Sequence, residues 1–402
     1  MKVFNKIKKL FDMLFDFKGL LLFFSSNILK NMVLIFILII FFPIFDNLIN
    51  VSKEIDNSYI SEYRIKEKRP IFSLKSVFPY FEKYEKYYND NFSFRGFLIS
   101  KFNKLKYSIF KSSPVKSVII GKDGWLFLAE ENGITFDKYY FSYKLFTKGE
   151  LDLWKRRLEQ RAELAKSVGC NYILMIVPNK QTVYPEMMPA GLTYIPKKSL
   201  MSQMVRNLSD VNNLTVIDLR TGFAKLKREK RIYQKTDTHW NNFGAYSAYR
   251  MLIKTISDFS GKMVIADSIS DFNEIHLKKD GGDLARMLSF EKDEFRDRVI
   301  ILDRKEKIKI ICRESNIKGV SNVVLERRCS DGILPPMMFI HDSFGDYLMK
   351  FLPHHFNRSF YTMERDIVSL KSVILLGKVK FIVEEIAERH FLLSPFLTPN
   401  KL

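Results

Sequence analysis

Asn171-Tyr-Ile-Leu-Met-Ile-Val177 decides the fold. Its apolar residues do not alternate with polar ones, so both faces of the strand are buried, as in a parallel sheet. The strand stops at Pro178-Asn179-Lys180. Just upstream, residues 149–168 place Leu151, Trp154, Leu158, Ala162 and Ala165 on one helical face, with Gly169 past the end. Downstream, Leu214-Thr-Val-Ile-Asp-Leu219 and Met337-Met-Phe-Ile340 repeat the buried-strand pattern. Between those two runs, Tyr246, Tyr249, Ile253 and Ile256 fall in helical phase. Residues 344–352 read as another helix, and Val373-Ile-Leu-Leu376 and Val379-Lys-Phe-Ile-Val383 as further strands. Helices alternating with buried strands give an α/β fold, a mostly parallel sheet flanked by helices. Ligands in such folds bind beyond the carboxyl ends of the strands. Asn179, the segment around His239, and Ser343 all fall there.

Thr236-Asp237-Thr238-His239-Trp240-Asn241 carries the most chemistry. In an extended backbone, residues i and i+2 share a side, so Asp237 would bond one ring nitrogen of His239. The other nitrogen would then be free to accept a proton from a nucleophile. The matching nucleophile is Ser343, in Phe339-Ile-His-Asp-Ser-Phe-Gly345, where a buried strand turns into a helix. Taken alone, Asp342 or Ser343 reads equally as a helix cap and Asp-x-His as a surface pair. Their combination with a parallel-type sheet points to serine acyl transfer. Asn179 and Lys180, at a strand end, are candidates for substrate or oxyanion contacts, against a plain helix cap or surface loop. His341 alternates with Ser343 and reads as packing. His354 and His355 would diverge on a helix, which argues against a metal pair. Gly281-Gly282-Asp283-Leu284 reads as a turn into a helix capped by Asp283, with a substrate loop as the alternative. Zinc-like cysteine spacing and Gly-rich phosphate loops are both lacking, so no metal and no cofactor is expected.

The composition, 47% hydrophobic and 14% aromatic over 402 residues, is that of a folded chain with one large core. Its formal net charge is +20. Six lysines in the first thirty residues, against two aspartates, supply only a small part of it. The charge alone fits nucleic acid, an acidic polysaccharide, an anionic membrane surface or a solvated lysine-rich face. Three cysteines, Cys170, Cys312 and Cys329, do not form a disulfide scaffold. Cys312 and Cys329 flank a polar segment and are a candidate pair; Cys170 reads as a small core residue.

Met32-Val-Leu-Ile-Phe-Ile-Leu-Ile-Ile-Phe-Phe-Pro-Ile-Phe45 is apolar throughout. Extended by its neighbours, residues 28–49 read as one tilted transmembrane helix. The lysines before it place the N-terminus in the cytoplasm. No small-x-small cleavage site follows, so an uncleaved signal anchor is expected. The organisation is then a cytoplasmic or membrane-surface segment (1–27), a signal anchor (28–49), a linker with a helical extension (50–115) and the main domain (116–402). Within the extension, Phe78, Phe81, Tyr84 and Tyr88, then Phe97, Ile99, Phe102 and Leu105, suggest two helices around a turn at Asn89-Asp90-Asn91. Their aromatic stripe is expected to pack on the main domain.

Five segments together resemble the AlgX/AlgJ-like polysaccharide O-acetyltransferases, the DHHW group with an SGNH-hydrolase-like domain. They are Gly121-Lys-Asp-Gly-Trp-Leu-Phe127, Val177-Pro-Asn-Lys-Gln-Thr-Val-Tyr-Pro-Glu186, Thr236 to Asn241, Gly282-Asp-Leu284 and Asp342-Ser343. Glu384-Glu-Ile-Ala-Glu-Arg389 also fits. The resemblance implies a permuted triad in which Asp237 orients, His239 is the base and Ser343 takes the acyl group. It implies an O-acetyltransferase on an extracytoplasmic exopolysaccharide, with a multi-spanning membrane O-acyltransferase as acetyl source and no nucleic-acid partner. The net charge suits an anionic polymer. Single-pass anchoring in the bacterial cytoplasmic membrane, with the domain in the periplasm or outside, fits the AlgJ-like arrangement. An acetyl-esterase with the same triad and a non-catalytic assembly subunit are the alternatives.

Overall fold

The computed structural model describes residues 31–38, 41, 66–72, 77–92, 95–131, 134–135, 145–190, 199–290, 292, 294–308, 310–315 and 323–393. The chain divides into two compact units, 1–102 and 103–402.

The larger unit is built on a seven-stranded sheet. In chain order its strands are β1 (Asn171–Val177), β2 (Leu214–Asp218), β3 (Ile311–Ser315), β4 (Val324–Arg328), β5 (Met337–Ile340), β6 (Arg358–Thr362) and β7 (Phe381–Ala387). Across the sheet the order is β2-β1-β7-β5-β6-β4-β3. From β2 to β6 every pairing is parallel. Strands β4 and β3 add an antiparallel edge, which makes the sheet mixed. The expected mostly parallel body is there; the antiparallel edge adds to it. Charged residues fill β4 and its neighbour (Glu326, Arg327, Arg328, Arg313, Glu314), so neither reads as a buried run.

Side chains of the central strands alternate between two apolar layers. On one face Ile173, Met175, Phe339 and Val383 pack with Tyr249, Leu252, Ile253 and Ile256 of helix α2 (Asn242–Ser260). On the other, Leu174, Ile176, Ile340 and Ile382 pack with Trp154, Leu158, Ala162 and Ala165 of helix α1 (Lys148–Ser167). Thr147 and Glu150 form a capping box at the start of α1. At its end Gly169 takes φ +73°, a value that favours glycine. The short hairpin of Val118–Ile120 with Leu126–Leu128 joins the first layer.

Three local readings are corrected. Lys371–Leu376 is a helix, not a strand. Leu370, Val373 and Ile374 face inward at helical spacing, while Leu375 and Leu376 are exposed; a four-residue apolar run cannot by itself separate the two states. The following strand continues through Ala387, with Glu384 and Glu385 fully buried inside it. The helix after Ser343 is a 3-10 segment, Gly345–Lys350. An additional two-stranded ribbon, Phe272–Lys279 with Asp297–Arg304, was not read from the sequence. Cys170 and Cys329 are buried free thiols.

In the smaller unit, Val77–Asn91 is helical and Arg95 begins a second helix that ends at Phe110. Within it Tyr80 stacks on Tyr84 at 5.7 Å, and Phe81 meets Tyr80, and Tyr88 meets Phe92, edge to face at 5.8 Å. Residues 31–38 are helical. No helix among the described residues is long and apolar enough to cross a membrane, and most of the expected span 28–49 lies outside them.

Candidate active site

Residues 232–241 form a closed loop. Tyr233 bridges Trp240 antiparallel, and Asn241 donates its amide to the Ile232 carbonyl at 3.0 Å. Inside the loop the backbone bends rather than extends. The bend makes the pairing tighter than side-by-side strand geometry would: the His239 amide donates to Asp237 Oδ1 at 3.0 Å. This is an Asx-type turn, which Asp and Asn favour because their short side chains reach the backbone two residues on. The same oxygen lies 2.7 Å from His239 Nδ1.

His239 Nε2 lies 2.7 Å from Ser343 Oγ. The structure thus brings together Asp237, His239 and Ser343, although 104 residues separate the last two. The imidazole is packed on Phe344 at 4.7 Å and stacked on Tyr347 at 5.9 Å. Trp240 ties the two segments, its indole N–H donating to the Phe344 carbonyl at 3.1 Å. Ser343 itself sits in the turn after β5, half-buried. Asp342 fixes that turn by accepting from the amides of Phe344 (2.8 Å) and Ala387 (3.1 Å). Gly345 follows because a Cβ there would meet the His341 Cβ at 2.4 Å. His341 itself is buried and stacks on Phe339, as a packing residue does.

A second carboxylate, Asp283, backs the loop. It accepts from the Thr238 amide at 2.7 Å and from the Thr238 hydroxyl. Its own amide donates to Asp237 Oδ2 at 3.1 Å. Asp283 Oδ2 lies 3.9 Å from His239 Nδ1. Gly282 lets the two segments approach: a Cβ there would stand 2.4 Å from the Asp237 carboxylate. The Gly-Gly-Asp turn was visible in the sequence; its contact with Thr238 was not.

Electrostatics follow from this packing. Burial alone would raise the Asp237 carboxyl, but hydrogen bonds from His239 and the Asp283 amide bring it down to about 2. Asp283 is pushed up by burial and by the Asp237 charge. Burial also opposes ionisation of Asp342, yet His390, Arg389 and Arg365 hold it well below the usual carboxylate range. Beside it, burial and the Asp342 charge keep Glu385 well above that range.

The two remaining candidates lie at the end of β1. The Asn179 amide donates to Glu388 at 2.8 Å, and its side-chain nitrogen is buried with no partner among the described residues. Lys180 is fully buried, and its ammonium donates to three backbone carbonyls rather than facing a cleft.

Two His/Asp clusters come close enough to offer metal ligands. In Asp237–His239–Asp283 the donor atoms already bond one another or Thr238. In Asp267–His354–His355 the two imidazoles lie 4.0 Å apart, not splayed, because they sit in a 3-10 turn. There Arg304 bonds Asp267 and lies 3.2 Å from His354, a cation where a metal would have to be.

Residues 118–305 match the SGNH hydrolase-like domain of the acetyltransferase AlgX. A protein of Pseudomonas fluorescens described as a probable alginate O-acetylase AlgJ is 25% identical over 178 residues, 43% of this chain and 42% of that one. Its counterpart from Pseudomonas aeruginosa is 25% identical over 171 residues, 42% and 40% of the two chains. The match therefore spans less than half the length of either relative. Among solved structures, Bacillus cereus PatB1 with a sulfonyl adduct has a TM-score of 0.54 at 13% identity, over 69% of this chain and 97% of that one; the likeness is one of fold. Over this region the chain is similar to AlgX and AlgJ, the likeness its motifs indicated.

Proposed function

We propose that the chain is a membrane-anchored, extracytoplasmic O-acetyltransferase that acetylates hydroxyls of an exopolysaccharide through an acyl-serine. The observation that carries this reading is the continuous relay from Asp237 Oδ1 to His239 to Ser343 Oγ, each link 2.7 Å. A serine hydroxyl is a weak nucleophile until an adjacent base takes its proton. Ser343 Oγ attacks the acetyl carbonyl of the donor while its proton moves to His239 Nε2. Asp237 holds Nδ1–H and stabilises the imidazolium that forms. The donor's leaving group departs with that proton, and the acetyl group remains on Ser343. A sugar hydroxyl then gives its proton to His239 and attacks the acetyl-serine; the proton returns to Ser343 as the ester is released.

The apolar run Met32–Phe45 with lysines before it supports the anchor, and the AlgJ-named relatives support a polysaccharide acceptor. A multi-spanning membrane acyltransferase would supply the acetyl group, and the +20 charge suits an anionic polymer. The test is the purified protein with an activated acetyl ester, with and without polysaccharide. Acetylated polymer is the expected product. Free acetate alone in both arms would make it an esterase. Ser343→Ala that retains full acetylation of polymer in cells would leave only an assembly role.

A further inference from the structure

The acyl-transfer steps give no task to the most deeply buried cation beside the Asp237 loop. Lys180 opens the helical turn after β1 and is only 2% exposed. Its Nζ lies 3.0 Å from the Gln234 carbonyl oxygen, 3.0 Å from that of Lys235 and 2.6 Å from that of Asp237. An ammonium has three hydrogens and no acceptor, so these carbonyls use all of them. The rings of Trp125 and Phe127 flank it at 5.8 and 5.4 Å. Asp283, Asp237 and Asp297 face it through space and favour its charge, while Arg231 opposes it. Three of the segments that carry the family resemblance therefore converge on one atom: the Gly121–Phe127 hairpin, the end of β1 and the loop of the Asp-x-His.

Three carbonyl dipoles aimed at one point repel one another unless a cation lies between them. Without it, the loop relieves the repulsion by turning its peptide planes, and the peptide of Asp237 is one of those three. We infer that Lys180 is a positioning residue: its ammonium gathers the carbonyls of residues 234, 235 and 237 and so fixes the angle at which Asp237 meets His239. It contacts no reacting atom. Its effect on rate rests on the acyl-transfer reading of Ser343, whereas its effect on loop geometry does not.

Two variants test it in the full chain. Lys180→Met removes the charge at similar length, and Lys180→Gln keeps two N–H donors should the methionine variant fail to fold. Two signals are read on whichever variant retains a cooperative thermal transition. One is the hydrogen-bonded Nδ1 proton of His239, followed by NMR. The other is the rate of acetylation by an activated ester, separated into kcat and KM. The expected result is loss of the Nδ1 proton signal and a fall in kcat of about 10²-fold, the cost of roughly 1 Å of misplacement, with KM nearly unchanged. A folded variant that keeps both the signal and kcat overturns the role of Lys180 and leaves the triad intact. Loss of the signal in the variants, with no acylation even of the wild type, sustains the clamp and removes the acyl-transfer reading instead.

Discussion

Gly282 has a φ of −71°, which any residue adopts, so the glycine is there for space and not for backbone freedom. A methyl group at this position would lie 2.4 Å from the Asp237 carboxylate. Gly282→Ala should therefore push Asp237 off His239, lowering kcat by about tenfold to a hundredfold while Tm falls only slightly; steady-state kinetics and calorimetry on one preparation check this. Lys180 gives a second expectation at this scale. Burial lowers its folded pKa to about 7, against 10.5 for a free lysine. Between those values the unfolded chain holds more protons, so stability should rise with pH while the loop loses its clamp. Activity falling above about pH 7 as Tm holds or rises is the expected pattern. A parallel loss of both would contradict it. The members of the triad were legible because Asp-x-His and a serine after a buried strand are local patterns. The tasks of Lys180 and Asp283 were not, because each is defined by a contact with the 234–239 loop, some fifty residues away in sequence.

Among the elements, α2 is capped by Asn241, the last residue of the histidine motif. Its side-chain oxygen accepts from the amides of Phe243 (2.9 Å) and Gly244 (3.2 Å), and its nitrogen donates to the Arg231 carbonyl at 2.6 Å. One residue thus caps the helix and closes the loop that holds Asp237 and His239. Asn241→Ala should cost about 1–2 kcal/mol, combining a lost cap with a lost hydrogen bond to the half-buried Arg231 carbonyl, measured by chemical denaturation. Strand β7 teaches where periodicity fails. Its buried Glu384 is paired with Arg161 of α1 at 2.9 Å and with Arg365 at 3.1 Å. Two adjacent glutamates made the strand appear to end early, because partners that make burial tolerable come from other elements. Arg161→Met should destabilise the fold by about 1.5–3 kcal/mol, because it removes one of the two cations paired with this buried carboxylate and leaves Arg365 in place. The 3.6-residue spacing of α1 and the unbroken apolar runs of β1 and β5 were readable, since there burial alone sets the pattern. The exposed ribbon and the charged edge strands carry no such pattern.

For the whole molecule, acid should dismantle the site and the fold together. Asp237 and Asp267 are both held at about 2, and Asp342 lower still. A depressed carboxyl stabilises the folded state above its unfolded pKa, and that contribution is lost as pH falls through the folded value. Tm should therefore drop steeply between about pH 4 and 2. Because Asp237 and Asp342 flank the two halves of the relay, loss of acylation should follow the same transition. The larger unit was legible in its strand order only in part: parallel neighbours follow from buried runs, but the position of β7 between β1 and β5 follows from no local signal.

Acetylation of Ser343 itself tests the central claim most directly. The purified chain, exposed briefly to an activated acetyl ester, quenched in acid and digested, is read by mass spectrometry. One acetyl group on the peptide containing Ser343 is expected. It should be absent in His239→Ala and should disappear from wild type as acetylated polysaccharide accumulates. Polymer acetylated at the wild-type rate by Ser343→Ala, with no acetyl group ever found on residue 343, would contradict the account.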